Sequence, residues 1–144
     1  KPVGLEKREL MRKVCLSLGL LQLGDSRDVI VDILMVLNDA NSNRKDLSSE
    51  KIREQVEEVR KKYSLETKGL AESNIRRQLK RLRDAMLIER NGNNYYLTEH
   101  LSLKEIFENN IEKFVIPQII GRVKDYLGEL DDKDSENKSD EKDL

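Results

Sequence analysis

The sequence predicts a mainly α-helical protein with one small β-hairpin, and three observations predict this fold class. Apolar residues recur at spacings of three and four along most of the chain, which is the helical period. Near the middle, a basic amphipathic segment is followed directly by two short β-prone segments joined through Asn91 and Gly92, the strongest local hairpin signal. The 144 residues suffice for one domain with appendages, and 38% of them are charged, which is typical of many solvated helix faces.

Two helices are predicted within the first forty residues. The first covers residues 5–23 and should stop near Gly19 or Gly24; its apolar stripe consists of Leu10, Val14, Leu18 and Leu21, with Met11 and Cys15 beside it. The second should be capped by Asp25 or Ser26 and end by Asn38, and its core-forming residues are Val29, Ile30, Ile33, Leu34 and Leu37. The polar residues 38–46 then predict a surface loop. The single Cys15 predicts a small buried side chain in a reducing compartment.

A third helix is predicted to begin at Ser48 or Ser49, because serine is a favourable N-cap. One face stays apolar over four turns, and its residues are Ile52, Val56, Val59 and Tyr63. The other face is charged, so we expect this helix to lie on the core with a solvated outer side.

The fourth predicted helix, about 72–86, is basic. Its inward face is formed by Ile75, Leu79, Leu82 and Met86. At about 100° per residue, its outward side holds Ser73, Arg77, Lys80, Arg81 and Asp84, with Arg76 and Arg83 on one flank. From Lys68 to Arg90, seven basic residues stand against three acidic ones, in a chain whose net charge is −1. Such a concentrated basic face is expected of a protein that binds a phosphate backbone.

The hairpin is predicted to consist of strands at 87–90 and 95–98, with the turn at Asn91 and Gly92. Alternate residues of a strand face opposite sides, so one of Tyr95 and Tyr96 should close the core and the other should face solvent or a ligand. The pattern leaves open which tyrosine does which.

Within residues 102–130, Pro117 should either kink a helix or mark the first turn of a new one, and we expect a kink because the apolar phase continues on both sides of the proline. The apolar band is wider than packing on one small domain requires, so we expect a homodimer built on this helix with help from the first helix. The predicted dimer contacts are Leu10, Val14, Leu18, Ile116, Ile119, Ile120, Val123 and Leu127. Residues 131–144 hold seven acids and three lysines and are predicted to be a disordered tail, either solubilising or competing with DNA for the basic helix.

The sequence offers little catalytic chemistry. His100 is the only histidine, so a histidine metal pair is excluded, and the sequence shows neither a recognisable Ser-His-Asp arrangement nor a Gly-rich phosphate motif. We therefore expect no enzyme activity, no metal and no cofactor. No apolar run approaches the length of about 20 residues needed to cross a bilayer, and the start KPVGLEKREL lacks the pattern of a signal peptide, so we expect a soluble cytoplasmic protein without a membrane partner.

The segment AESNIRRQLKRLRDAMLIER, residues 71–90, resembles the recognition helix and first wing strand of the MarR, ArsR and PadR types of transcription regulator. Over about Asp25 to Thr98, the order of elements is similar to the winged helix-turn-helix superfamily. The resemblance implies a winged-helix domain at 25–101, a packing or dimerisation helix at 1–24, a dimerising kinked helix at 102–130 and a tail at 131–144.

This resemblance implies sequence-specific binding of duplex DNA and regulation of transcription, with residues 72–86 in the major groove and the wing, residues 87–98, on the backbone. Base contacts are then expected from Ser73, Asn74 and Arg77. Backbone contacts are expected from Arg76, Lys80, Arg81, Arg83, Arg90, Asn93 and Asn94. An alternative is a winged-helix module that holds proteins together in a transcription, replication or segregation assembly; another is a solvated helix face with internal pairs such as Lys80 with Asp84.

Overall fold

The computed structural model describes residues 3–22, 24 and 27–142, and the chain is mainly helical with a small three-stranded antiparallel sheet. The helices are α1 (Val3–Ser17), α2 (Val29–Ser42), α3 (Ser49–Lys62), α4 (Glu72–Asp84), α5 (Leu103–Ile106) and α6 (Ile116–Lys142). A 3-10 turn covers Thr98–His100, and a π-helical stretch covers Phe107–Val115. The strands are β1 (Leu47–Ser48), β2 (Ile88–Asn91) and β3 (Asn94–Leu97). Between Ile106 and Phe107 the chain divides into two compact units.

The core of the first unit is built around α2, as predicted. Every residue from Val29 to Leu37 is buried, and α1, α3, α4 and β3 all pack against this helix. The opposing helices contribute Met11 and Cys15 from α1 and the predicted inward faces of α3 and α4, chiefly Ile52, Val56, Ile75, Leu79 and Leu82. An apolar run without a polar face is expected of such a central helix.

The first helix ends at Ser17, and Gly19, one of the two predicted stops, is the C′ residue of its cap. Gly19 has a φ of 75°, the Leu20 N–H donates to the Cys15 carbonyl at 2.9 Å, and the Gly19 N–H donates to the Leu16 carbonyl at 3.2 Å, the paired bonds of a Schellman cap. The core side of α1 differs from the predicted stripe, since Leu10 and Val14 are exposed and Leu18 is half-buried. These three residues remain predicted dimer contacts.

The second helix extends beyond its predicted end at Asn38. It continues to Ser42, so half of the predicted surface loop is helical. Ala40 is buried, and the Asn41 side chain donates to the Leu101 carbonyl at 3.2 Å, so tertiary contacts extend the helix through polar residues. Its N-cap is Asp28; Asp25 and Ser26, the predicted caps, lie outside the described residues.

The third helix is capped by Ser48, one of the two predicted positions, whose hydroxyl accepts from the Lys51 N–H at 3.2 Å. The same residue belongs to β1, a two-residue strand that the sequence did not predict, where Leu47 pairs with Tyr95 and Ser48 with Asn94. The cap therefore fixes the start of α3 directly beside the hairpin.

The hairpin turn lies one residue later than predicted. Asn91 pairs with Asn94, so Gly92 and Asn93 are the central residues and the strands are Ile88–Asn91 and Asn94–Leu97. Gly92 has a φ of 61°, and the first central position of a two-residue hairpin turn of type II′ is where glycine is required. The choice left open between the tyrosines is resolved, because Tyr95 is buried and Tyr96 is half-buried.

Met86 does not join the apolar stripe of α4. The helix ends at Asp84, and Met86 takes a left-handed conformation with a φ of 65° and is 46% exposed. The left-handed turn at Met86 places Leu87 and Ile88, both buried, at the start of the hairpin. Met86 therefore does not follow the helical phase of α4.

In the second unit, Pro117 is the second residue of α6, which continues directly from the π-helical stretch Phe107–Val115. The change from π-helical to α-helical bonding at Ile116 therefore lies beside the proline where the kink is predicted. The predicted disorder of residues 131–144 is wrong for residues 131–142, which continue α6. Glu129 with Lys133 and Asp134 with Lys138 are spaced four apart with the acid first, which favours a helix. None of the described helices is both long and apolar enough to cross a lipid bilayer.

Candidate nucleic-acid interface

The predicted basic surface of α4 faces solvent. Its three apolar residues are buried, so the opposite side of the helix points away from the core. The five predicted cations on this side are all exposed, namely Arg76, Arg77, Lys80, Arg81 and Arg83. Ser73, a predicted base contact, is also exposed.

Two of these cations form ion pairs within the helix. Arg76 lies 2.7 Å from Glu72, and Lys80 lies 3.2 Å from Asp84. All four side chains are more than half exposed, and such pairs are worth only about 0.3–0.5 kcal/mol. A phosphate of DNA can therefore replace either carboxylate at small cost.

Arg81 bonds to its own chain rather than standing free for a phosphate. Its Nη1 donates to the Gln78 side chain at 2.9 Å, and its Nη2 donates to the Leu20 carbonyl at 2.9 Å. The side chain ties α4 to the segment that follows α1, so it holds the helix in place.

Asn74, predicted to contact bases, also has partners within the chain. Its Nδ2 donates to the Gly69 carbonyl at 2.7 Å, and its Oδ1 accepts from Arg77 at 2.8 Å and from Gln78 at 3.1 Å. A base contact by asparagine uses both the amide and the carbonyl of the side chain. Because Ala71 at the N-cap has no capping side chain, Asn74 secures the start of α4 instead.

The hairpin adds the remaining predicted residues. Arg90, Asn93 and Asn94 are all exposed. The Arg90 Nε donates to the Gly92 carbonyl at 2.6 Å, and its guanidinium lies 5.9 Å from the centre of the Tyr95 ring. These contacts hold the Arg90 side chain close to the hairpin, on the side that carries Tyr95.

An open cleft of about 440 Å³ brings α4 and the hairpin together, and we call it the basic cleft. Five predicted backbone contacts line it, and they are Arg76, Lys80, Arg83, Arg90 and Asn93. Ser49, Glu50 and Tyr95 complete the lining. The residues that line the cleft carry four cations and one carboxylate, whereas Glu72 and Asp84, the partners of Arg76 and Lys80, do not line it. This excess of cations favours an anion with several oxygens.

Carboxylates collect beside the basic cleft, between α3 and α4. Glu50, Glu54 and Glu72 line a shallow recess of about 280 Å³ together with Ser49, Arg53 and Ile75. Glu50 lines both this recess and the basic cleft, so the boundary between positive and negative surface runs along the start of α3.

A buried ionic network behind α4 was not predicted. Arg60 of α3 donates to Asp32 at 2.6 Å and to Asp28 at 3.0 Å. Arg8 of α1 bonds both oxygens of Asp32, at 2.7 and 3.1 Å, and Arg12 donates to Asp28 at 2.8 Å. The sequence signal is Asp32, a single charge inside the apolar run 29–37.

The network also fixes the connection that leads into α4. The Arg60 Nε donates to the Glu66 carbonyl, so the loop after α3 is held from inside. Burial raises the pKa of the Asp28 carboxyl, but the hydrogen bonds from Arg8 and Arg60 lower it more, so the pKa lies below its ordinary value of 3.8. The network thus holds Asp28 ionised at neutral pH.

His100, predicted to be a surface residue after the hairpin, is exposed and has two partners. Its ring stacks on Tyr96 with centroids 4.3 Å apart, and its Nε2 lies 2.9 Å from Asp46. Partial desolvation and the hydrogen bond with Glu89 raise the pKa of Tyr96. Tyr96 therefore packs against His100 on the face of the hairpin opposite to Tyr95.

The side chains that line the basic cleft offer guanidinium, ammonium, amide and hydroxyl groups, which are the groups that suit an anion. Among the residues that the structure describes, no group of three or more His, Cys, Asp and Glu side chains is arranged to hold a metal ion. Comparisons with protein-family models, with curated proteins and with solved structures found no match to this chain.

Proposed function

We propose that this chain is a winged-helix protein that binds duplex DNA and regulates transcription by occupying operator-like sites. The order of helix, short strand, helix, basic helix and hairpin supports the winged-helix assignment, together with the resemblance of residues 71–90. In this proposal α4 enters the major groove and the hairpin lies on the neighbouring backbone.

The observation that carries this proposal is the basic cleft. Arg76, Lys80 and Arg83 from α4 meet Arg90 from the hairpin in one open cleft. A phosphate backbone that follows such a cleft exchanges its counterions for these four cations, which makes binding favourable and salt-dependent. Two elements contribute to the cleft, so the charge concentration is a property of the fold and not of one helix.

Sequence reading is assigned to the outward residues at the start of α4, where recognition helices contact base edges. Ser73 is exposed there, and its hydroxyl can donate or accept. Asn74 is assigned a structural role instead. Its side-chain amide is already bonded within the chain, so it holds the start of α4 and does not contact a base.

A homodimer completes the proposal. The α6 face with Ile116, Ile120, Val123, Leu127 and Leu130 is exposed and repeats at spacings of four and three, the seam of a helix pair. A dimer joined through this face would carry two α4 helices, the number that a two-fold DNA site requires.

The rival function, a protein-binding winged-helix module, is favoured by one observation. Glu50, Glu54 and Glu72 place negative charge beside α4, where a DNA backbone would be repelled. A basic segment of a partner protein would fit this acidic recess and leave the basic cleft without a role.

Salt-dependent binding to a fluorescent duplex distinguishes the two functions. We expect affinity to fall steeply with salt, and the slope of log affinity against log salt to decrease by about one for each of Arg83→Ala and Arg90→Ala. Lys61→Ala is the matched control, because Lys61 lies at the far end of α3 from the cleft-lining Ser49 and also carries one exposed charge.

Equal binding by all three variants would refute the assignment of the basic cleft to DNA. A protein that does not bind duplex DNA at low salt would refute the proposed function as a whole and favour the rival.

A further inference from the structure

A second cationic recess lies on the other flank of α4. It has a volume of about 340 Å³ and is lined by Arg27, Val29, Gly69, Asn74, Arg77 and Gln78. Among the described residues that line it, Arg27 and Arg77 are the ionisable ones, and both are exposed. The described lining of this surface, here called the arginine recess, therefore carries a charge of +2.

The two basic surfaces lie on opposite sides of the outward midline of α4. At about 100° per residue, Arg76, Lys80 and Arg83 lie roughly 60° to 120° from Arg77 in one direction. Asn74 and Gln78 of the arginine recess lie roughly 60° to 100° from Arg77 in the other. Across the basic cleft, the cation opposite α4 is Arg90 of the hairpin. Across the arginine recess, the cation opposite α4 is Arg27, which lies just before α2.

The arginine recess is built before any ligand arrives. Asn74 bridges the Gly69 carbonyl and the Arg77 guanidinium, which holds Arg77 beside the recess without neutralising it. Gly69 has a φ of 87°, and a Cβ there would lie 3.3 Å from Asn74 and 3.4 Å from Val29, so the close approach needs glycine. Arg76 and Lys80 each have a carboxylate partner, whereas no described carboxylate lies within ion-pair distance of Arg77 or Arg27.

We propose that Arg27 and Arg77 form a second phosphate site, which grips the DNA strand opposite to the one held by the basic cleft. This inference rests on the proposed function. A helix of about 10–12 Å diameter fills a major groove about 12 Å wide, so each of its flanks faces one phosphate wall. Arginine matches two phosphate oxygens at once, and here two arginines converge from different elements. Arg77 then serves the backbone rather than a base edge, and Arg27 extends the interface to the start of α2.

The test compares single variants by fluorescence anisotropy with two duplexes of unrelated sequence over a range of salt. Arg27→Ala and Arg77→Ala should each lower the salt slope by about one and weaken binding to both duplexes by the same factor. Arg27→Gln, which keeps a polar side chain and part of the aliphatic stem but removes the charge, should behave like Arg27→Ala. Lys61→Ala is the control for loss of one exposed charge, and thermal unfolding verifies that each variant is folded.

The outcomes separate this inference from the proposed function. If Arg27→Ala and Arg27→Gln bind like Lys61→Ala while Arg83→Ala weakens binding, the arginine recess is refuted and the basic cleft stands. If Arg77→Ala changes the ratio of affinities for the two duplexes, Arg77 contacts bases and the second phosphate site is refuted. If the unmodified chain does not bind either duplex, both proposals are refuted together.

Discussion

Arg60 of α3 donates a hydrogen bond of 2.6 Å to Asp32 of α2, and these side chains are 2% and 0% exposed. Asp32 also receives both bonds of Arg8 from α1, so one carboxylate joins three helices. A buried pair of this kind adds little net stability over an apolar pair, but removing one partner leaves a buried charge without compensation. The network therefore fixes which helices meet.

Loss of Arg60 should destabilise the protein strongly. We expect Arg60→Ala to lower the free energy of unfolding by about 3–5 kcal/mol, because Asp32 loses its shortest hydrogen bond inside the core. Urea unfolding measures this change. Lys7→Ala is the matched control; its pair with Asp39 is also short, at 2.8 Å, but both side chains are about half exposed, and its loss should cost less than about 1 kcal/mol. Similar effects of the two substitutions would contradict the role of the network.

Acid should destabilise the protein partly through Asp28. Its pKa is lower in the folded chain than the ordinary 3.8, so the folded state favours the ionised carboxylate. The stabilisation by the ionised Asp28 is present above the pKa that this carboxyl has in the unfolded chain. It is lost as the pH falls through the lower pKa of the folded chain. The free energy of unfolding should therefore decline below about pH 4, and Asp28→Asn should lose stability at neutral pH and show a shallower acid decline. Parallel pH curves for the two proteins would contradict this assignment.

Cys15 should be inert in the native state. Burial raises the pKa of its thiol to about 11, and the side chain is fully buried. At pH 8 the thiolate fraction is then about one in a thousand, and the reagent has no access. We expect alkylation by iodoacetamide only when urea unfolds the chain, as measured by mass spectrometry. Rapid native labelling would contradict the packing of α1 on α2.

Local patterns predicted the elements that depend on local physics. The stripe of Ile75, Leu79 and Leu82 predicted the buried face of α4, and an Asn-Gly pair marked the hairpin to within one residue. Of the predicted interface, the cations Arg76, Lys80, Arg83 and Arg90 and the amide of Asn93 come together in one cleft. A helical period defines both faces of a helix, so exposure on the outer face follows from burial of the inner one.

Features that depend on distant residues were not predictable from such patterns. Arg8 and Arg60 are 24 and 28 residues from Asp32, and no periodicity indicates which helices will meet. The two residues of β1 are too few to show alternation, and their partner strand lies more than 45 residues later. Asn74 and Arg81 look like free polar residues on a helical wheel, whereas the carbonyls that they bond belong to other segments.

Glu50 should limit DNA affinity. It lines the basic cleft beside four cations, so its carboxylate repels an approaching phosphate. We expect Glu50→Gln to bind duplex DNA several-fold more tightly at low salt, with the gain fading as salt screens the repulsion. Fluorescence anisotropy measures this change. Glu58→Gln is the control, since Glu58 is exposed on the same helix and lines neither the cleft nor the acidic recess. Unchanged or weaker DNA binding by Glu50→Gln at low salt would contradict the proposed repulsion.

The proposed dimer depends on the apolar face of α6. Ile120 and Leu127 are each about half exposed and lie seven residues apart on one side of the helix, and burial of such a side chain contributes about 1.5–3 kcal/mol. Ile120→Ser and Leu127→Ser together should convert a dimer to a monomer in sedimentation velocity over a wide range of concentration. Asp125→Ser is the matched control. It also introduces a serine into α6, but at a position roughly 140° around the helix from Ile120. Sedimentation of the unsubstituted chain as a monomer at high concentration would contradict the dimer. Retention of the dimer in the double variant would place the interface on other exposed apolar residues, of which Leu10 and Val14 of α1 are two predicted contacts.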